Sequence, residues 1–344
     1  MEKQRIAYID AMRGFTMILV VYSHICNYCL GDRWMGWNDV FYLFRLPCFF
    51  FISGWLFEKP ERLWDGITIK SILKHKFMVQ IVPTVIFLLL LAPPPLFFSR
   101  LGAMKGGYWF TFALFIFFVL HLFISRLTKH RQWVMFAIAL TISIISFLYE
   151  AYYNSYFSHL GWFTKLLGFL SFRVWRFYLF FYIGTLVKRH FEVFVQWTSK
   201  PFVIVSVLVG FIVISQIPQT NGILTYFIFV IGGVLGLTMV FTTFRYIGAY
   251  FSFCSTHHLS LIIYHSLQYI GTRTLDIYLL HYFLLPRFLL PYGEQLRAYH
   301  YTSLEFVVAL VLALIVVALC LAISHIIRLS PFLSRYLFGV RDNT

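Results

Sequence analysis

Apolar residues along this chain of 344 residues form long runs that short polar segments separate. A helix needs about 20 mostly apolar residues to cross the hydrocarbon core of a bilayer. The pattern therefore predicts an all-α, polytopic membrane protein with about ten transmembrane helices in a single domain, 1–344. The predicted spans are 10–30, 40–57, 77–98, 108–127, 133–151, 172–188, 202–217, 223–244, 273–291 and 303–327.

One long stretch, 246–272, is too polar and broken to be predicted as a span. It contains His257, His258 and His265. We expect it to be a re-entrant or interfacial helix.

The composition supports a membrane protein and argues against a nucleic-acid partner. Hydrophobic residues make up 60% of the chain and charged residues 12%, whereas soluble domains carry about 25% charged residues. The net charge is +15, but the basic residues lie in short clusters between apolar runs, as expected of orientation-setting charges. No small-residue cleavage site follows the first run, which predicts an uncleaved first span. Five cysteines are an odd number and do not suggest a disulfide framework.

The distribution of basic residues predicts the orientation. Of the 28 Lys and Arg residues, six lie in the outer segments and four in or at the ends of spans. The other eighteen fall in the inner segments when the N-terminus is placed inside. By the positive-inside rule, both termini are cytoplasmic, and we expect the chain to be a multi-pass protein of the inner (cytoplasmic) membrane.

The first span, which contains DAMRGFTMILVVYSH at 10–24, carries costly residues at informative spacings. Arg13 and His24 are eleven residues apart, so they lie within about 20° of each other around a helix and about 16 Å apart along it. Asp10 can pair with Arg13 across one turn but lies roughly 21 Å from His24. An ionisable residue inside a span is a functional candidate by default. The alternative is that Arg13 reaches the inner interface and His24 bonds a neighbouring helix.

Two motifs in the first two spans carry a resemblance to a known family. The chain resembles the acyltransferase-3 integral-membrane O-acyltransferases, which include fucose 4-O-acetylase-like proteins and polysaccharide O-acetyltransferases. The first helix of that family has an Arg-Gly pair and a His, with ten residues between the Arg and the His. The second helix has Pro-x-Phe-Phe-x-x-Ser-Gly, here with Cys where the family more often has Leu. The matching residues are Arg13, Gly14 and His24, then Pro47, Cys48, Phe49, Phe50, Ser53 and Gly54.

Three later segments resemble the family in the same order. They are YWF at 108–110, FYIGTLVKR at 181–189 and IGTRTLDIYLLHYFLL at 270–285. The last one matches a Gly-x-x-Ser-Leu-x-Ile-Tyr-x-x-His element through Gly271, Thr274, Leu275, Ile277, Tyr278 and His281, with Thr274 in place of Ser.

The resemblance implies a reaction and roles for its residues. The family transfers an acyl group, usually acetyl, from cytoplasmic acyl-CoA to a hydroxyl of a cell-envelope or exported glycan. The implied catalytic residue is His24, as general base, and Arg13 with Asp10 would hold the donor. Acetyl-CoA is then a substrate, no cofactor is bound, and the partners are acyl-CoA, a glycan or lipid-linked sugar and the lipid bilayer. The rival function is a transporter or flippase for a lipid-linked sugar.

Several other polar residues have two interpretations each. Arg45, Arg173 and Arg176 lie at outer ends of spans, where they would line the acceptor side or contact lipid headgroups. Tyr278 and His281 share a helix face and would line the same cavity or form structural hydrogen bonds. Ser53 fits a cavity or close packing beside Gly54. The basic segment Lys59, Arg62, Lys70, Lys74 and Lys76 fits CoA phosphates or anionic lipid.

Neither cluster of possible metal ligands predicts a metal site. HICNYC at 24–29 has no second cluster that completes four ligands. In STHHLSLIIYH at 255–265, no carboxylate or thiolate lies in register with the histidines.

Overall fold

A computed structural model describes residues 6–32, 35–59, 65–91, 105–152, 161–218, 222–253, 258–298 and 302–340. These residues form α-helices with short 3₁₀ and π segments and no strand. The helices are α1 Ala7–Tyr28, α2 Asn38–Phe57, α3 Gly66–Lys76, α4 Val82–Leu91, α5 Trp109–Leu127, α6 Gln132–Ala151, α7 Trp162–Phe169, α8 Tyr178–Arg189, α9 Phe191–Thr198, α10 Pro201–Ser215, α11 Ile223–Phe253, α12 His258–Thr272, α13 Thr274–Leu284, α14 Leu290–Ala298, α15 Thr302–Arg328 and α16 Pro331–Phe338.

The predicted all-α, multi-pass membrane architecture is confirmed. Within the described ranges, seven helical segments are long and apolar enough to cross a membrane, and the number rises to nine if each of two bent helix pairs forms one span. The bent pairs are Trp162–Phe169 with Phe172–Arg189, and Phe191–Thr198 with Pro201–Ser215. Ten spans and cytoplasmic termini remain predictions.

The third span begins earlier than predicted. A π segment, Phe77–Ile81, joins α3 to α4, and together they form one candidate span, Gly66–Leu91. Lys70, Lys74 and Lys76 therefore belong to a helix and not to a loop. Residues 92–98, the predicted end of this span, lie outside the described residues.

The chain divides into two compact units. The first contains Met1–Phe49, Val195–Ile217 and Ile231–Ile327. The second contains Phe50–Phe194, Pro218–Val230 and Arg328–Thr344.

In the first unit, two glycines let α1 and α12 approach each other backbone to backbone. A Cβ on Gly14 would overlap the carbonyl oxygen of Leu267, and a Cβ on Gly271 would overlap that of Asp10. Small residues at such contacts are typical of helix pairs in membranes, where close van der Waals packing drives association.

The contacts of these helices also show their relative direction. Gly14 lies opposite Gly271, and His24 lies opposite His281. Both pairs are 257 residues apart in sequence, as 271 − 14 and 281 − 24. The contacts advance in the same direction on both helices, from Arg13–Thr274 to His24–His281, so α13 runs parallel to α1.

This packing corrects two predictions. The described helical part of 246–272 includes α12, which lies along the candidate span α1 and so does not fit an interfacial helix; the re-entrant alternative remains a prediction. The predicted span 273–291 corresponds to α13, which ends at Leu284, followed by a 3₁₀ segment at Arg287–Leu289. Arg273, which we assigned to an inner segment, lies at the junction of α12 and α13.

The second unit has an aromatic core and its own glycine contact. The ring of Phe50 lies 5.2 Å from that of Phe117 and 5.1 Å from that of Phe177, between centroids. A Cβ on Gly54 or on Gly184 would overlap a carbonyl oxygen of the facing helix. The predicted packing role of the Ser53–Gly54 pair is thus confirmed for Gly54.

We predict that Gly271→Ala destabilises the protein by about 1–3 kcal/mol, the usual cost of overpacking. The added Cβ would push α12 off α1. Thermal unfolding in detergent would show a lower Tm for Gly271→Ala and for Gly14→Ala. Gly168→Ala is the matched control, because a Cβ there meets no atom within 4 Å and alanine favours a helix. Equal stability of Gly271→Ala and Gly168→Ala would contradict the close approach.

Candidate active site

Two histidines from parallel helices meet in the first unit. His24 Nδ1 lies 2.7 Å from His281 Nε2, which is hydrogen-bond distance. The ring centroids are 4.9 Å apart and the ring planes 15° from parallel, so the two imidazoles meet edge to edge through these nitrogens. His281 is 0% exposed, whereas His24 is partly exposed. Part of the His24 surface is therefore accessible, and none of the His281 surface is.

The second nitrogen of His281 is held by its own helix. His281 Nδ1 lies 3.0 Å from the carbonyl oxygen of Ile277, one turn earlier in α13. A carbonyl oxygen only accepts hydrogen bonds, so Nδ1 of His281 is the donor of this bond.

Tyrosines surround the histidine pair. Ring centroids of Tyr28 and Tyr282 lie 5.6 Å and 5.1 Å from that of His24. Tyr278 is buried beside His281, with centroids 6.0 Å apart. The sequence placed Tyr278 and His281 on one face; the structure brings His281 to His24 and places Tyr278 beside His281.

Arg13 is fixed by one partner on its own helix and one on α13. It pairs with Asp10 Oδ1 at 3.3 Å, which confirms the predicted Asp10–Arg13 contact. Its other amino group donates to Thr274 Oγ1 at 2.9 Å. The helix restarts at Thr274 after Arg273, whose backbone is not helical. Threonine at the position where the family has serine keeps the hydroxyl that Arg13 needs.

The Arg13 guanidinium lies closer to His24 in depth than the sequence indicated. It sits beside Thr274, and Thr274 precedes His281 by seven residues of α13. Seven residues rise about 10 Å along a helix, compared with about 16 Å for the spacing of Arg13 and His24. The long arginine side chain accounts for the difference.

Arg45 is a buried cation of the first unit, 8% exposed. It donates to Asn38 Oδ1 at 2.6 Å, and its guanidinium carbon lies 5.6 Å from the ring centroid of Tyr42. It also lies close enough to His24 to interact with it electrostatically. Pro47 lies inside α2.

The other three predicted cavity residues belong to the second unit. Ser53 is half-buried in α2. Arg173 Nε lies 3.1 Å from Glu150 Oε2. The guanidinium of Arg176 lies 5.4 Å from the ring centroids of both Phe177 and Phe229. Their roles at an acceptor site remain predictions.

The sequence analysis missed a buried carboxylate beside the site. Asp276 is 1% exposed and accepts a hydrogen bond from Ser324 of α15. It lies between Thr274, which holds Arg13, and Ile277, which holds His281. An acid inside an apolar run is the signal that would have found it. Glu305, 9% exposed, was also missed, and it accepts from the backbone N–H of Gly36 at 3.1 Å.

The described part of the chain contains no group of three or more His, Cys, Asp or Glu side chains placed to hold a metal ion. Cys254 and His257 lie outside it.

We predict that Thr274→Val loosens Arg13 and that Thr274→Ser does not. Valine has nearly the shape of threonine but offers no acceptor, and a hydrogen bond to a charged group contributes about 1.5–3 kcal/mol. Thermal unfolding in detergent should show a clear loss of stability for Thr274→Val and a smaller one, about 0.8 kcal/mol for the buried methyl group, for Thr274→Ser. Equal losses would mean that the methyl group, and not the hydroxyl, matters.

Comparison with known families supports the resemblance that the motifs suggested. A family model described as an acyltransferase domain matches residues 6–325. This range includes His24, Arg13 and His281. Comparison with curated proteins and with solved structures gave no match. The chain belongs to the acyltransferase-3 family, and it is a membrane acyltransferase.

Proposed function

We propose that the protein is an O-acyltransferase of the cytoplasmic membrane that moves an acetyl group from acetyl-CoA to a hydroxyl of a cell-envelope or exported glycan. In this proposal the chain has ten spans and both termini lie in the cytoplasm. The observation that carries it is the partly exposed imidazole of His24, which is hydrogen-bonded to a buried histidine and shares its helix with a fixed arginine.

The chemistry needs one base at the reacting centre. His24 takes the proton of the acceptor hydroxyl while the hydroxyl oxygen attacks the thioester carbonyl carbon. The new C–O bond forms as the C–S bond breaks. The imidazolium then returns the proton to the CoA thiolate, so the products are the acetyl ester and CoA thiol. Imidazole suits this exchange because it gains and loses a proton near neutral pH.

Arg13 would hold the donor by its charge. The pair with Asp10 and Thr274 fixes the guanidinium, whose side chain is 26% exposed. A guanidinium binds phosphate through paired hydrogen bonds. The nucleotide end of acetyl-CoA would stay on the cytoplasmic side while the pantetheine arm carries the thioester towards His24.

The first test is the release of CoA and transfer of label from radiolabelled acetyl-CoA by purified protein in detergent, with envelope glycans as acceptor. We expect His24→Ala to lower the rate at least 100-fold, because general-base catalysis contributes about 10²–10⁴-fold. His265→Ala is the control, since His265 is an exposed histidine of α12.

Two outcomes would contradict the proposal. Full activity of His24→Ala at normal protein levels would remove the assigned base. A wild-type protein that neither hydrolyses nor transfers acetyl-CoA, yet moves a lipid-linked sugar across vesicles, would favour a transporter or flippase.

The second test separates donor charge from fold. Arg13→Gln should raise the KM for acetyl-CoA about tenfold, the effect of losing about 1.4 kcal/mol, and leave the acceptor KM unchanged. Acetyl-pantetheine, which lacks the nucleotide phosphates, should be used equally well by the wild type and by Arg13→Gln. Equal losses with both donors would make Arg13 a structural residue.

A mass-spectrometric comparison of surface glycans from wild-type and deletion strains would identify the acceptor. We expect the acceptor glycan of the deletion strain to be lighter by about 42 mass units per site, because each acetyl group replaces one hydroxyl hydrogen.

A further inference from the structure

We infer that His281 is a positioning residue that fixes the tautomer of His24, so that Nδ1 of His24 carries the hydrogen and Nε2 is the basic atom. The inference concerns the same site and rests on the proposed function for its catalytic consequence. The tautomer itself follows from the hydrogen bonds alone.

The hydrogen bonds around His281 have only one consistent direction. The Ile277 carbonyl accepts, so His281 Nδ1 carries a hydrogen. A neutral imidazole has one N–H, so Nε2 of His281 offers a lone pair. His24 Nδ1, at 2.7 Å, must then be the donor. His24 is left with an unprotonated Nε2.

A charged His281 is incompatible with these donor and acceptor roles. With hydrogens on both nitrogens it would face His24 with a donor, and its charge would be buried in a membrane-spanning bundle with no exposed surface. Burying an unpaired charge is costly. The neutral form gives each nitrogen of His281 a hydrogen-bond partner and buries no charge.

The surroundings hold His281 in place. Its ring centroid lies 4.1 Å from that of Tyr282, the next residue. The first turn of α13 is tied to α1 through Thr274 and Arg13 and to α15 through Asp276 and Ser324. The bonding carbonyl, that of Ile277, lies in this same tied turn.

The arrangement does for His24 what an orienting carboxylate does in other base-assisted sites: it holds the ring and chooses the tautomer. When Nε2 takes a proton, the bond from Nδ1 to His281 becomes charge-assisted and shortens. The other charged or titratable side chains near His24 are Tyr28 on α1, Tyr282 on α13 and Arg45 on α2.

Three variants of His281 test the inference. His281→Gln keeps an acceptor at the distance of Nε2, and His281→Leu fills the space without one. His281→Glu supplies a charged acceptor. We expect His281→Leu to lower kcat at least 100-fold with the KM for acetyl-CoA within twofold, and His281→Gln to recover at least a tenth of wild-type kcat. In His281→Glu, the acid limb of the rate profile should move to higher pH, because the carboxylate stabilises the protonated form of His24.

A measurement without turnover addresses the tautomer directly. Histidine labelled with ¹⁵N reports which ring nitrogen carries hydrogen, and the His24→Gln variant identifies the His24 signals. We expect Nδ1–H for His24 in the wild type and in His281→Gln, and a changed tautomer in His281→Leu. Thermal unfolding of all three variants shows whether they remain folded.

The outcomes separate the two proposals. An Nε2–H tautomer of His24 in the wild type overturns the inference whatever the activity. Equal kcat losses in His281→Gln and His281→Leu, with both folded, also overturn it. Correct tautomers in a protein that never turns over acetyl-CoA would sink the proposed function and leave the positioning of His24 intact.

Discussion

The site depends on one constraint, the backbone contact between α1 and α12 at Gly14 and Gly271. That contact fixes the distance between the two helices and their relative register, and the register carries on into α13 with the same offset of 257 residues. A slip of one residue would rotate His281 by about 100° around its helix. The imidazole of His24 would then face an apolar side chain. The hydrogen bond between the two histidines thus depends on Gly14 and Gly271, whose lack of a side chain lets the helices approach.

The cost of polar groups in a membrane explains how the rest of the site is built. Two charged groups beside the site each have a partner from another turn or another helix: Arg13 has Asp10 and Thr274, and Asp276 has Ser324. Each of these pairs also fixes geometry, because a polar group without its partner costs several kcal/mol in hydrocarbon. The group proposed to hold the donor, Arg13, therefore also helps to hold α13 in place.

Helical periodicity was enough to predict what a single helix decides. It placed Arg13 and His24 on one face and paired Asp10 with Arg13, and the family motifs pointed to Thr274 and His281. It did not predict that His281 bonds His24, because that contact depends on the register between two helices. It also misjudged α12, whose polar residues lowered its hydropathy although Gly271 packs it onto α1. Hydropathy counts residue types and takes no account of which of them find partners. The depth of Arg13 was misplaced because a Cα spacing ignores the length of the side chain.

In the proposed mechanism, a neutral orienting group also suits the surroundings of the base His24. A carboxylate next to His24 would add a second buried charge to the resting site, and in a bilayer that charge needs its own hydrogen-bond partners. A neutral His281 already has both nitrogens satisfied, by Ile277 and by His24. Charge then appears at the pair only while His24 holds the transferred proton. Asp276, the nearest carboxylate along α13, is kept by Ser324 in the first turn of that helix, five residues before His281. The fold thus separates the residue that orients the base from the residue that carries negative charge.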